Sequence, residues 1–204
     1  MLHAPLWRGL AWVLGCTEHI MADLIITRAI ASRARIKRDH LGAAQETNAL
    51  LGNWYVTFLP MVERNAFVYM SSRTQLSFLM LEGERLTPEK LFISLVRGIS
   101  IVLELAGFPE RVRANVISGY LSIAFAKASD LSMLGVLTNC ALDYEGFIEQ
   151  DGGLKRCNLD QLVIDMNCRP AKKLGFNSPL EETAIALGVQ PGKSFKPMSL
   201  RGTD

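Results

Sequence analysis

The sequence predicts an α+β domain: a mainly antiparallel sheet, built on a three-stranded meander and packed by helices on one face. Three observations carry this expectation. Residues 51–81, LGNWYVTFLPMVERNAFVYMSSRTQLSFLML, form the longest strand-like run, with two turn signals inside it. Residues 91–106 repeat apolar side chains at helical spacing. The chain has 204 residues, 49% of them hydrophobic, enough for one ordinary core. The expected layout is one domain over residues 21–189, an N-terminal extension over 1–20 and a flexible tail over 190–204.

Residues 1–20, MLHAPLWRGLAWVLGCTEHI, admit two readings. Arg8 precedes an apolar run, and Val13-Leu14-Gly15-Cys16 resembles a lipoprotein cleavage box. A single basic residue and a run at the lower limit of about 7–15 residues argue against a signal sequence. The preferred reading starts translation at Met21, which makes residues 1–20 an upstream extension.

Leu24–Arg28 reads as a short strand. Arg28, Arg33, Arg35, Lys37 and Arg38 then follow closely, in a run compatible with a short helix. The functional reading of this run is a phosphate-contacting patch; the plainer one is a solvated helix face. No aromatic residue lies in the run to stack on a base. Residues 42–50 read as a loop.

The central run resolves into three strands. Asn53–Met61 is rich in β formers, and Pro60, lacking an N–H, should lie at an edge or stop its strand. Glu63-Arg64-Asn65 supplies a turn. Phe67 and Tyr69 alternate with Val68 and Met70, and after Ser71-Ser72-Arg73 the residues Leu76, Phe78 and Met80 alternate with Gln75 and Ser77. Thr87-Pro88 opens a helix whose stripe is Leu91, Phe92, Leu95, Val96, Ile99, Leu103 and Ala106. Gly98 interrupts that stripe, and its missing side chain suits close packing on the sheet. Gly107 and Pro109 end the helix. Leu121, Ile123 and Phe125 mark a further strand. A second helix carries Leu137, Cys140, Ala141 and Tyr144 inward and ends at Gly152-Gly153. Asn158 caps a third, and the capping box Ser178-Pro179-Leu180-Glu181 opens a last one that ends near Gly188.

No complete catalytic or metal motif is present. The three histidines are His3, His19 and His40, so a histidine site in the core would depend on His40 alone. The four cysteines, Cys16, Cys140, Cys157 and Cys168, have no metal-type spacing and read as free thiols in a reducing compartment. Gly188-Val-Gln-Pro-Gly192-Lys193-Ser194 misses the phosphate-loop spacing and has a helix where a strand is needed. Net charge is +2, which implies neither nucleic acid nor membrane, and no apolar run is long enough to span a bilayer. No cofactor is implied.

Several local signatures resemble a prokaryotic family catalogued as a domain of unknown function. They are Gly52-Asn53-Trp54, Arg73-Thr74, Lys127 with Leu134-Gly135, Gly152-Gly153-Leu154 and Asn167-x-x-Pro170, spread over about residues 21–190. The resemblance implies the fold and a bacterial setting, and it transfers no activity. Residues 167–181 are also similar to the C-terminal end of bacterial insertion-sequence transposases. Such enzymes need an acid on the first strand, and Leu24-Ile25-Ile26-Thr27 has none.

The functional expectation is a small cytosolic bacterial accessory protein that acts by binding, with a protein partner possible. The lipoprotein alternative runs through Cys16. The alternative function is a nucleic-acid-binding or nucleic-acid-processing protein tied to a mobile element. It would use the 28–38 run and the basic loop Arg169, Lys172 and Lys173. Trp54, Arg73, Lys127 and Asp130 are candidates for a pocket assembled from distant positions.

Overall fold

The computed structural model describes residues 22–83 and 85–189, except for the side chain of Arg38. The expectations for residues 1–20, for the start at Met21, for Cys16 and for the tail therefore lie outside the described residues.

Six strands form one sheet: β1 (Ala22–Ile26), β2 (Gly42–Ala43), β3 (Trp54–Leu59), β4 (Ala66–Ser71), β5 (Ser77–Leu81) and β6 (Ile123–Lys127). Their order is β2-β6-β1-β3-β4-β5. β1 pairs parallel with both β3 and β6, and β2 pairs parallel with β6. β3 with β4 and β4 with β5 pair antiparallel. The sheet is thus mixed, which corrects the expectation of a mainly antiparallel one. The physical reason is the connections. The chain leaves β1 through a helix before entering β3, and leaves β5 through two helices before entering β6. Such crossovers return it to the same end of the sheet and make the pairings parallel. Every residue of β1 is buried, as a central strand covered on both faces requires. Pro60 stops β3 at Leu59, so its missing N–H costs no ladder bond.

Among the described residues six α-helices flank the sheet: α1 (Arg28–Arg33), α2 (Pro88–Leu105), α3 (Glu110–Ser118), α4 (Leu131–Gln150), α5 (Leu159–Asn167) and α6 (Pro179–Ala186). The caps are those the sequence suggests. Thr87 accepts from the Lys90 N–H, Asn158 accepts from the Gln161 N–H, and Ser178 with Glu181 closes a capping box. Gly107 takes φ +76 just past α2, a conformation open to glycine at no steric cost.

Helices cover both faces of the sheet, which corrects the expectation of one. Neighbours on a strand point to opposite faces, and Ser77 and Phe78 are neighbours on β5. The Phe78 ring lies against Gly98 of α2. The Ser77 hydroxyl is 3.1 Å from that of Tyr144 on α4, and the Ser77 N–H donates to Asn167 Oδ1 of α5 at 2.8 Å. Asn167 Nδ2 donates back to the Ser77 carbonyl at 2.7 Å. One amide thus stands in for a neighbouring strand at the β5 edge. On the α2 side, Phe78 stacks on Tyr69 at 5.0 Å and tilts against Trp54 at 5.3 Å, a fully buried aromatic cluster at the centre of the core.

Candidate binding cavity at the start of β1 and β3

A cavity of about 610 Å³ opens beside the N-terminal ends of β1 and β3 and the β4–β5 turn. Its walls include Gln45, Glu46, Asn48, Asn53, Ser72 and Arg73. The volume is in the range of small-molecule sites, but the lining is polar where most such sites are apolar.

Two buried to part-buried hydrogen-bond networks hold those walls. In the first, the Asp23 carboxylate accepts from the Gln45 N–H at 2.6 Å. The Asp23 N–H donates to Asn53 Oδ1 at 2.8 Å, and Asn53 Nδ2 donates to the Gln45 carbonyl at 2.7 Å. The 44–48 loop is thereby tied across to the first residues of β1 and β3. Burial raises the Asp23 carboxyl above its ordinary value, and the Gln45 N–H partly offsets this.

In the second network, Ser71 Oγ accepts from the N–H groups of Arg73 and Thr74 and donates to the Leu51 carbonyl at 2.6 Å. Thr183 of α6 donates to Thr74 Oγ1 at 3.0 Å from 109 residues away. Gln75 follows at φ +55, completing a tight and largely buried turn. Nine polar or charged residues are buried among those described; six of them, Asp23, Asn53, Ser71, Thr74, Gln75 and Thr183, sit in these networks or in the turn they fix. Burying polar groups is costly unless they are satisfied, and satisfied networks hold one geometry.

That turn carries Arg73. Its Nη1 donates to the Leu50 carbonyl at 3.2 Å, while Nε and Nη2 have no hydrogen-bond partner among the described residues. The guanidinium is therefore anchored at one corner with an edge to spare, the edge a carboxylate grips in bidentate fashion. Gly52 makes the close approach possible. It sits at φ +72, and a Cβ there would lie 2.6 Å from Ser72 Oγ and 3.2 Å from Arg73 Cβ. Tyr120 supports the same corner by donating to the Gly52 carbonyl at 2.8 Å, and burial pushes its hydroxyl up to about 12.

The four pocket candidates do not converge. Arg73 lines the cavity. Trp54 is fully buried against Phe78 and Tyr120. Lys127 lies at the other end of the sheet, paired with Ile26 at the end of β1, and Arg28 follows just beyond. Asp130 lies there too, as the N-cap of α4, accepting from the N–H groups of Ser132 and Met133.

The basic candidates are partly engaged. Arg33 pairs with Glu82 at 2.9 Å and lies over the Phe58 ring at 3.8 Å. Arg169 lies over Phe147 at 3.9 Å. Lys173 donates to the Ser132 carbonyl at 2.9 Å and to its hydroxyl. Lys37 and Lys172 are exposed, as is Arg35 at φ +55. The Arg38 side chain lies outside the described residues. Arg28, Lys127 and Lys173 thus gather near the C-terminal ends of β1 and β6, away from the cavity.

Among the described residues no group of three His, Cys, Asp or Glu could hold a metal ion. Burial pushes the thiols of Cys140 and Cys157 up to about 11, which keeps them protonated and poorly nucleophilic at neutral pH. No described helix is long and apolar enough to cross a membrane. The 44–48 segment is the part of the site that sequence reasoning missed. Its only outward signal is its neighbour, the Gly52-Asn53 pair.

No curated protein and no solved structure matches the chain. One family model matches it over residues 13–182, and the chain therefore belongs to the family described as Domain of unknown function (DUF6933).

Proposed function

We propose that this chain is a small accessory protein that acts by binding, and that it seats a small polar ligand against Arg73. The observation that supports this is the Arg73 guanidinium on a polar cavity, held by the Leu50 carbonyl and with an edge that has no partner among the described residues. Such an anchored fork loses little freedom when it grips an oxyanion. A bacterial, cytosolic setting goes with this reading.

Thermal unfolding of the full chain against a library of small carboxylates and polar metabolites tests it. A ligand at a hundredfold excess over its Kd stabilises by about 2.7 kcal/mol. For a domain of this size that raises Tm by roughly 5–11 °C. The rise should vanish in Arg73→Gln. Robust turnover across a substrate panel, or ligand shifts indifferent to Arg73, would overturn the proposal.

The second reading is nucleic-acid binding, favoured by the gathering of Arg28, Lys127 and Lys173 at one end of the sheet. It predicts an affinity that falls steeply with salt. Reversing the charges of Arg33, Arg35 and Lys37 without effect would remove the 28–38 run as its site.

A further inference from the structure

We infer that the cavity takes a small zwitterion, a molecule carrying one carboxylate and one protonated amine, such as an amino acid or a dipeptide. This rests on the binding role proposed above for Arg73 and adds the second half of the ligand.

Among the described residues, two side chains of the charged types line the cavity, and they are of opposite sign. Arg73 comes from the β4–β5 turn and Glu46 from the 44–48 loop. They form no ion pair with each other, and among the described residues Glu46 has no hydrogen-bond partner of its own at its carboxylate. Opposite charges that share one cavity without meeting are bridged by a ligand carrying the complementary pair. The ligand's carboxylate would take the free edge of Arg73, and its ammonium would face Glu46.

The rest of the lining narrows the class further. Gln45, Thr47, Asn48, Asn53 and Ser72 offer neutral donors and acceptors. Among the described residues no aromatic or branched aliphatic side chain lines the cavity, so none of them would hold an acyl chain. A polyanion such as a nucleotide would place charge against Glu46, with a single guanidinium among the described residues to balance it.

The walls are fixed in relation to each other. Asp23 and Asn53 pin the Glu46 loop, and Ser71, Thr74 and Thr183 pin the Arg73 turn. The segments that carry the two charges are therefore held in place before any ligand arrives, which lowers the ordering cost of binding.

Isothermal titration of the full chain decides the matter. The probes are the common amino acids one at a time, a pool of dipeptides, and as controls acetate, methylammonium and inorganic phosphate. The expected result is binding of at least one zwitterion, with acetate and methylammonium silent. Arg73→Gln and Glu46→Gln should each weaken it by about tenfold or more. Both substitutions replace exposed side chains, so unliganded thermal midpoints should match the wild type and certify folding. Arg73-dependent binding of acetate or phosphate that Glu46→Gln leaves unchanged would overturn the zwitterion and keep the Arg73 site. Binding of a zwitterion that neither substitution weakens, or of no probe at all, would overturn both.

Discussion

Replacing Gly98 by alanine should unfold this protein more easily, although the helix scale says the opposite. Alanine in a helix interior is favoured over glycine by about 1 kcal/mol. At this position the new Cβ would lie 2.0, 2.4 and 2.5 Å from three atoms of the Phe78 ring. Carbon atoms rest at about 3.5–4.0 Å, so ring or helix must retreat by about 1.5 Å. The ring has little room, being stacked on Tyr69 at 5.0 Å and held against Trp54 at 5.3 Å. Overpacking costs about 1–3 kcal/mol, and each lost aromatic contact adds about 0.5–1.5 kcal/mol. Against the propensity gain, the net loss is about 3 kcal/mol. Urea denaturation should show a lower midpoint at unchanged slope. The decisive comparison is the same change in a Phe78→Ala background. There the clash is gone, and Gly98→Ala should be neutral or stabilise by up to about 1 kcal/mol. An equal loss in both backgrounds, or a gain in the wild type, would refute the packing argument.

Three further changes probe the networks. Asn167→Leu strips the partners from the Ser77 N–H and carbonyl and should cost about 3 kcal/mol in urea, with a loss under about 1 kcal/mol contradicting the edge-capping role. Asp23→Asn keeps an oxygen for the Gln45 N–H and removes a charge that burial penalises. Because the folded carboxyl is raised, the wild type binds its proton more tightly folded than unfolded. Its stability relative to Asp23→Asn should therefore fall as pH rises from the ordinary carboxylate range toward neutrality; urea titrations giving the reverse trend would exclude this account. Tyr120 is raised to about 12, so stability should fall as pH climbs above about 10, where the unfolded tyrosine ionises first. Tyr120→Phe should flatten that decline, as read from thermal midpoints, while costing about 1 kcal/mol at neutral pH for the bond to Gly52.

The parts legible in the sequence are those fixed by neighbours in the chain. α2 announces itself through Thr87, Pro88 and Gly107, and α6 through its capping box, because caps and stops act within a turn. α3 carries no such local signal. Only Val116 among its residues is buried, so it shows no apolar stripe, and its N-cap is a proline without a capping bond. The parallel pairings escaped for a different reason. The partners of β1 lie about 30 and 100 residues away, and no local signal encodes them; the one hint is the unbroken apolar run Leu24-Ile25-Ile26. The cavity was half legible. Asn53 and Arg73 stood in recognisable company, but residues 44–48 are ordinary polar loop residues whose role comes from Asp23 and Asn53 reaching across to them.

The bond from Thr183 to Thr74 has a consequence for the order of events in synthesis. Chains are made from the N-terminus, and domains begin to fold as they emerge. Strands β3 to β5 can pair early, since their partners are close in sequence. Yet the turn bearing Arg73 gains its last buried partner only when α6 has been made and has docked. The same delay applies to the β5 edge, which waits for Asn167. The nascent chain therefore carries an unfinished cavity beside an unprotected edge until its final helices arrive, an interval in which a chaperone has most to offer and aggregation most to gain.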